Sequence, residues 1–487
     1  MKIIGNSSRI YIKTRFNNEE KMDKEYDIAI IGAGPGGYVA AIRAAQLKKK
    51  VLLVEKDKLG GTCTNRGCIP TKFLLQQTKK FNEIKTNKNL EGPLNEIKYN
   101  WQKVQAEKTQ KVEQLVKGID FLLKRNGVDT IRGEASLGDG KKIVIQDKKE
   151  EKVIKAKKII LATGSRPAEI PFLKRDGDKI INSADALELI EIPRRLLVIG
   201  AGAIGLEIGT IFQRMGTEVT ILEVLPQILP GSDVEICNLL ERVLKRKGMT
   251  IYTRMKIKEV VKNENQIFLK GICLKDNTVF EYGTDKVLLA VGRIPATEIC
   301  KNNSLGFLFD KAGFVKVDAC LETNVSGFFA IGDLIGGKLL AHKAYHEGII
   351  AVENAFGAKK SASDRALPLA VFTEPEFSSV GLTEQEAKKK NVKVKKGVFP
   401  LQANGRALTM GCQEGMVKVI ADEDNRIVGA HILAPNASEL IHEMTMAVEK
   451  KLILQDIASL IHVHPTLSEA LKEAAMNAEN KAIHILS

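Results

Sequence analysis

One pattern occurs twice in this chain, and few folds accommodate it. The apolar run Asp27-Ile28-Ala29-Ile30-Ile31 leads into Gly32-Ala33-Gly34-Pro35-Gly36-Gly37. A helix-like stretch, 38–47, follows, and a second apolar run, 51–54, stops at Glu55. Much later, Arg195-Leu196-Leu197-Val198-Ile199 leads into Gly200-Ala201-Gly202-Ala203-Ile204-Gly205. A helix-like stretch again precedes a strand, 218–222, which stops at Glu223. Gly32 precedes Glu55 by 23 positions, and Gly200 precedes Glu223 by the same 23. Each copy reads as strand, glycine turn, helix, strand and terminal acid.

The glycines have distinct tasks in such a unit. Gly32 and Gly200 permit the tight turn, Gly34 and Gly202 let a pyrophosphate approach the backbone, and Gly37 and Gly205 let helix pack on strand. The helix N-terminus then offers free N–H groups and partial positive charge to phosphate. Glu55 and Glu223 are placed to accept hydrogen bonds from a ribose 2′-hydroxyl, and a carboxylate there repels a 2′-phosphate. Val224-Leu225-Pro226-Gln227 follows Glu223 without an arginine, so the second unit is expected to take NAD rather than NADP. Two dinucleotide units in one chain point to a flavin and a nicotinamide. The fold class is therefore α/β, with two Rossmann-like dinucleotide-binding domains.

Electrons exchanged between two such cofactors need a further partner. Gly60-Gly61-Thr62-Cys63-Thr64-Asn65-Arg66-Gly67-Cys68-Ile69-Pro70-Thr71-Lys72 follows directly on the first acid. Residues from Thr71 onward read as helix, which puts the cysteine pair near a helix N-terminus, where a thiolate is stabilised. A zinc half-site and two inert buried thiols are the competing readings. A zinc site needs two more ligands at similar spacing, and no other C-x₂₋₄-C exists in the chain, so no metal is expected. A redox-active disulfide is the reading adopted. The five other cysteines are scattered, and with no secretory signal most of them are expected to be reduced.

Segment 60–72 resembles the redox-disulfide signature of the flavin-dependent pyridine nucleotide-disulfide oxidoreductases. The resemblance runs in order from Asp27 to the C-terminus. It includes Ala162-Thr163-Gly164-Ser165, Ala330-Ile331-Gly332-Asp333, Leu340-Ala341-His342-Lys343-Ala344 and His462-Val463-His464-Pro465-Thr466-Leu467-Ser468-Glu469. The Leu-Ala-His-Lys stretch is similar to the branch that oxidises dihydrolipoamide. The resemblance implies FAD and NAD as cofactors and a path from dithiol to disulfide to FAD to NAD⁺. It makes Cys63 the sulfur that exchanges with substrate, Cys68 the sulfur beside the flavin, His464 the general base and Glu469 its orienter. It puts Gly32, Gly34, Gly37, Glu55, Lys72, Thr163, Gly164, Ser165, Asp333 and Ala341 on the FAD side. Gly200, Gly202, Gly205, Glu207, Glu223 and Gly292 fall on the NAD side. Lys72 and Glu207 match an ion pair near the flavin, and His342 falls close to it. His462 is read as structural. Thr64 and Arg66 depart from the family by being polar in what reads as a loop; Arg66 either lowers a thiol pKa or points to solvent.

The resemblance also implies a homodimer in which His464 reaches Cys63 of the other subunit. It implies a partner as well, a lipoyl-bearing protein or the acyltransferase core of a 2-oxo acid dehydrogenase or glycine cleavage complex. The expected divisions are an extension at 1–21, an FAD-binding domain at 22–170, an NAD-binding domain at 171–295, a central domain completing the FAD site at 296–365, and an α+β dimerisation domain at 366–487. Residues 1–21 carry Lys2, Arg9, Lys13 and Arg15 with no acid before Glu19. They read as a disordered tail, as residues ahead of a true start at Met22, or as a transit peptide. The expected location is the cytoplasm, or the mitochondrial matrix or a plastid if 1–21 is a transit peptide.

Composition narrows the alternatives. The formal net charge is +15, but the lysines are spread along the chain and aromatics are only 5%, so no nucleic-acid stacking platform is expected. No apolar run approaches the roughly 20 residues of a membrane span. An NADPH-dependent disulfide reductase of the glutathione reductase type is the alternative within the family, and Glu223 argues against it. Mercuric reductases and large thioredoxin reductases carry an extra C-terminal redox pair, whereas this sequence ends His484-Ile485-Leu486-Ser487. A purely structural flavoprotein fits poorly with the full set of Cys63, Cys68, His464 and Glu469.

Overall fold

Short β-branched runs with no charge make buried parallel strands. Glu25–Ile31 and Val51–Glu55 carry their charges only toward their ends, and their apolar middle residues Ile28, Ile30, Leu52 and Leu53 are fully buried. A computed structural model describes residues 25–93, 96–147, 150–262, 266–363 and 365–486. The 1–21 extension lies outside these residues.

Among the described residues the first sheet has seven strands. Glu25–Ile31 lies at its centre, parallel to Val51–Glu55 on one side and to Glu151–Leu161 on the other. Asp129–Arg132 extends one edge, and the antiparallel strands Lys142–Gln146 and Glu134–Leu137 extend the other. Phe328–Ala330 joins Glu151–Leu161 in parallel, so a segment far along the chain returns to this sheet. This strand stops at Ala330, and Asp333 stands in the short 3₁₀ turn Gly332–Ile335. Two long helices, Cys68–Thr86 and Trp101–Arg125, follow the disulfide loop.

The helix Pro35–Gln46 after the first glycine turn packs against Ala341–Ala355. Their contact relies on two glycines. A Cβ on Gly348 would collide with the Gly36 carbonyl, and one on Gly36 would press on Ile331 and Ala344.

The second sheet has five parallel strands in the order Thr250–Tyr252, Glu218–Leu222, Arg195–Ile199, Lys286–Leu289, Ile180–Asn182. Helix Ala203–Arg214 covers it and buries nine of its twelve residues. A three-stranded antiparallel sheet, Met255–Lys262, Ile267–Cys273 and Val279–Thr284, is inserted before Lys286–Leu289. Its three strands follow one another in the chain and pair across short connections, Lys262 with Ile267 and Ile272 with Val279.

The C-terminal sheet is antiparallel, in the order Leu369–Val371, Glu376–Gly381, Ile427–Ala434, Met416–Ala421, Lys395–Pro400. Helices Ala437–Lys450 and Glu469–Asn477 pack on it through Met444, Ala447, Leu471 and Ala474, all fully buried. No helix among the described residues is long and apolar enough to cross a membrane.

Candidate active site

The two glycine turns match in chemistry as well as in spacing. Gly32 has φ +102° and Gly200 has φ +103°, a conformation that favours glycine. A side chain on either would strike a carbonyl, that of Ala162 or of Ala290. A Cβ on Gly37 would strike the Gly32 carbonyl, and one on Gly205 the Gly200 carbonyl. Gly34 and Gly202 are different: a Cβ there would meet no atom within 4 Å. The space over the second glycine is open in both turns. No side chain caps helix Pro35–Gln46 or helix Ala203–Arg214, which leaves their first N–H groups free for an anion. Both turns therefore fit a dinucleotide pyrophosphate.

The terminal acids brace these turns. Glu55 accepts from Ala33 N at 2.7 Å and Asp57 N at 2.8 Å. Glu223 accepts from Ala201 N at 2.8 Å and Leu225 N at 2.8 Å. The second carboxylate thus repeats the bonds of the first. Burial pushes the Glu55 carboxyl up from its ordinary value, against the opposing pull of the Ala33 and Lys56 amides. Each carboxylate oxygen retains a lone pair for a ribose hydroxyl.

The disulfide loop lies directly on the first turn. Gly60, at φ +87°, donates its N–H to Ala33 O at 2.8 Å, and a Cβ on Gly61 would strike Gly34. Cys63 and Cys68 are bonded, with Cα atoms 4.7 Å apart. Cys63 belongs to the helix Gly61–Arg66, so Thr64 and Arg66 are helical rather than in a loop. Cys68 is the first residue of Cys68–Thr86, three residues before the expected helix start. Asn65 ties the loop by donating to the carbonyls of Leu59 and Gly61 at 2.9 Å each. Arg66 pairs with Asp57 on the surface.

The same helix carries Lys72 into contact with the second unit. Lys72 Nζ lies 2.8 Å from Glu207 Oε2 and 3.0 Å from Oε1. Glu207 is buried and also accepts from Phe372 N at 3.0 Å. Lys72 sits 4.5 Å from the Phe372 ring centre. Phe372 was not among the expected site residues, since nothing local in its sequence marks it.

The expected Thr163-Gly164-Ser165 and Gly292 come together. Ser165–Pro167 pairs antiparallel with Arg293–Pro295, and Thr163 Oγ1 donates to Ala296 O at 2.7 Å. Gly164 and Gly292 both have positive φ. Ser165 Oγ donates to Asp333 Oδ2 at 2.5 Å, and Arg293 Nε donates to Ser165 Oγ at 2.7 Å. Arg293 was missed as a site residue, although it follows Gly292 directly. Glu347, also missed, accepts from Gly332 N at 2.8 Å and pairs with Lys343 at 2.8 Å, which holds the turn bearing Asp333. Ala341 opens helix Ala341–Ala355, whose N-terminus has no side-chain cap. His342 Nε2 lies 2.8 Å from Pro368 O.

His464 and Glu469 form the expected pair. His464 Nδ1 lies 2.9 Å from Glu469 Oε1, and Thr466 N donates to Oε2 at 2.8 Å. Burial raises the Glu469 carboxyl, but the Thr466 amide and the His464 ring outweigh it and hold it below the usual carboxylate range. The His464 side chain is 78% exposed, so Nε2 is free to face another molecule. Ile461 and Val463 beside it are exposed as well, at 98% and 75%. His462 pairs instead with Glu443 at 3.2 Å.

The chain matches the pyridine nucleotide-disulphide oxidoreductase family over residues 26–348 and that family's dimerisation domain over 367–475. It is 42% identical to the dihydrolipoyl dehydrogenase of Thermus scotoductus over 95% of this chain and 100% of that one. Against the dihydrolipoyl dehydrogenase of Bacillus subtilis it is 41% identical, covering 95% and 98%. Among solved structures, LpdA from Mycobacterium tuberculosis superimposes with a TM-score of 0.84 at 26% identity, covering 92% of this chain and 98% of that one. The HOCl-induced flavoprotein disulfide reductase RclA from Escherichia coli gives 0.81 at 27%, covering 92% and 99%. With its paired glycine turns, its disulfide and its C-terminal sheet, this chain belongs to the pyridine nucleotide-disulphide oxidoreductase family.

Proposed function

We propose that this chain oxidises protein-bound dihydrolipoamide to lipoamide and reduces NAD⁺ to NADH. The observation that carries the reading is the seating of the Cys63–Cys68 loop on the first glycine turn, through Gly60 N and Ala33 O at 2.8 Å. That contact brings a dithiol couple to the edge of a dinucleotide cradle.

The chain's residues take these parts. A substrate thiolate attacks Cys63 and displaces Cys68 as thiolate, at a helix N-terminus that favours the anion. The second substrate sulfur then attacks the mixed disulfide, which releases lipoamide and leaves both cysteines reduced. His464 Nε2 takes the substrate proton, while Glu469 on Nδ1 fixes the tautomer and supports the imidazolium. The flavin supplies two-electron transfer between the dithiol and the nicotinamide. Gly32, Gly34, Gly37, Glu55, Thr163, Gly164, Ser165, Asp333, Ala341 and Lys72 would hold it. Gly200, Gly202, Gly205, Glu207, Glu223 and Gly292 would hold NAD.

His464 works across a homodimer in this reading; the exposed Ile461, Val463 and His464 support it. The lipoyl group arrives on a partner protein of a 2-oxo acid dehydrogenase or glycine cleavage complex. The divisions 22–170, 171–295, 296–365 and 366–487 remain our working boundaries, and the cytoplasm our working location.

The test is NADH formation by flavin-loaded protein given dihydrolipoamide, with NAD⁺ and NADP⁺ in parallel. Turnover with NAD⁺ alone is expected. No turnover from yellow protein with an intact disulfide sinks the assignment, and reduction of glutathione disulfide by NADPH would put the alternative in its place.

A further inference from the structure

Arg214 stands at the end of helix Ala203–Arg214, with only 5% of its side chain exposed. Its two terminal nitrogens reach two other parts of the fold. One donates to Leu75 O at 3.0 Å, in the helix that begins with Cys68. The other donates to Glu374 Oε2 at 2.5 Å, three residues past strand Leu369–Val371 of the C-terminal sheet. Lys79, one turn beyond Leu75, lies 3.6 Å from the other Glu374 oxygen. Burial raises the Glu374 carboxyl, but Arg214, Lys247 and Lys79 outweigh it and keep it below the usual range.

This clasp repeats the one made by Lys72, Glu207 and Phe372 N. Lys79 follows Lys72 by seven positions, and Arg214 follows Glu207 by seven. Seven residues are about two helical turns, so each helix presents both members on one face. The same two helices and the same strand-end segment, 372–374, are therefore pinned at two points. Leu74 and Leu75 already pack in one apolar cluster with Phe212, and the two polar pins add fixed points at two heights along the disulfide-bearing helix. Arg is suited to the second pin, because its planar fork serves two acceptors at once.

We propose that Arg214 is a positioning residue for the redox disulfide: by fixing Leu75 against Glu374 it holds the helix that starts at Cys68, and with it the thiol–disulfide couple, in its working alignment. Arg214 does not touch Cys63 or Cys68 and acts through the helix. The proposal rests on the redox reading above, in which Cys68 must face the flavin.

The test compares Arg214→Met, Arg214→Lys and Arg246→Met with the parent holoenzyme. Arg246 pairs with Glu414 at 2.7 Å, which also joins the second unit to the C-terminal sheet but leaves the disulfide helix untouched. The first readout is the equilibrium of Cys63–Cys68 with a glutathione redox buffer, followed by alkylation of the free thiols. The second is kcat and KM for dihydrolipoamide and NAD⁺. Arg214→Met is expected to shift the redox equilibrium about threefold or more. It is also expected to lower kcat about tenfold with both KM values nearly unchanged, as misplacement of a reacting group does. Arg214→Lys should recover part of each effect, and Arg246→Met should leave both at the parent's values. A folded Arg214→Met protein with the parent's equilibrium and kcat overturns the proposal, as does an equal effect from Arg246→Met. If the parent itself fails to oxidise dihydrolipoamide, the assigned reaction falls, while the glutathione equilibrium still decides the role of Arg214.

Discussion

Lys72 Nζ and Glu207 Oε2 lie 2.8 Å apart, and this ion pair ties the helix that starts at Cys68 to the helix of the second glycine turn. Glu207 is buried, whereas Lys72 keeps about a third of its exposure. Water therefore screens part of the attraction, and the pair contributes at the low end for such contacts, about 1–2 kcal/mol. Glu207→Gln should lower the thermal midpoint modestly. Its larger effect should fall on NAD⁺ reduction, by about tenfold or more, because the pair adjoins the expected flavin position. Thermal melts beside steady-state kinetics will separate the two.

Coenzyme choice should rest on Glu223. Its carboxylate repels a 2′-phosphate, but it also braces Ala201 N and Leu225 N. Glu223→Gln keeps an acceptor for one of these amides while removing the charge. The ratio of kcat/KM for NAD⁺ over NADP⁺ is expected to fall by about ten- to a hundredfold, the effect of removing one repulsive charge from a binding site. An unchanged ratio would mean that selectivity lies elsewhere in the second unit.

Glu469 should make the protein pH-sensitive on the acid side. Its folded carboxyl lies below the ordinary value of about 4.3. A depressed carboxyl stabilises the fold at pH values above its unfolded pKa, and the contribution is lost as pH falls through the lower folded value. The stabilisation that the parent gains from this carboxylate over Glu469→Gln should therefore be fully present at about pH 5. Below about pH 4 the parent should lose stability faster than the variant, and the difference should shrink. Melts of the two proteins across that range provide the check.

A shared active site predicts complementation. Cys63→Ser and His464→Ala homodimers should each be nearly inactive. Heterodimers formed by subunit exchange should contain one intact site, and about a quarter to a half of the parent's activity should return. Verified heterodimers without recovery would place His464 and Cys63 in separate roles.

The glycine contact between helices Pro35–Gln46 and Ala341–Ala355 should tolerate no methyl group. Gly348→Ala would drive its Cβ into the Gly36 carbonyl. The expected cost is about 1–3 kcal/mol, as for overpacking elsewhere. Because Ala341 starts one of these helices, flavin should also dissociate more readily, which denaturant titration with flavin fluorescence would report.

What could be read in advance was local. The two glycine turns were legible because steric demands at Gly32, Gly37, Gly200 and Gly205 admit no other residue, and those demands act within a few positions. The cysteine pair was legible because its loop and helix start are contiguous. His464 and Glu469, five positions apart, were paired through the family resemblance, and the structure puts them 2.9 Å apart. The first helix turn at Cys68 and the helical state of Thr64 and Arg66 were not legible, since cap geometry depends on contacts made by Gly60 and Asn65.

The chain by itself thus determined which chemistries are present: two dinucleotide turns, one dithiol couple and one imidazole with its carboxylate. Only the tertiary structure decided how they meet. Phe372 reaches Glu207 across 165 positions, Glu374 reaches Arg214 across 160, and Arg293 reaches Ser165 across 128. No periodicity encodes such pairs. Their partners are chosen when separately folded sheets dock, and a buried charge such as Arg214 is then held by whichever acceptors the docking brings within hydrogen-bond distance.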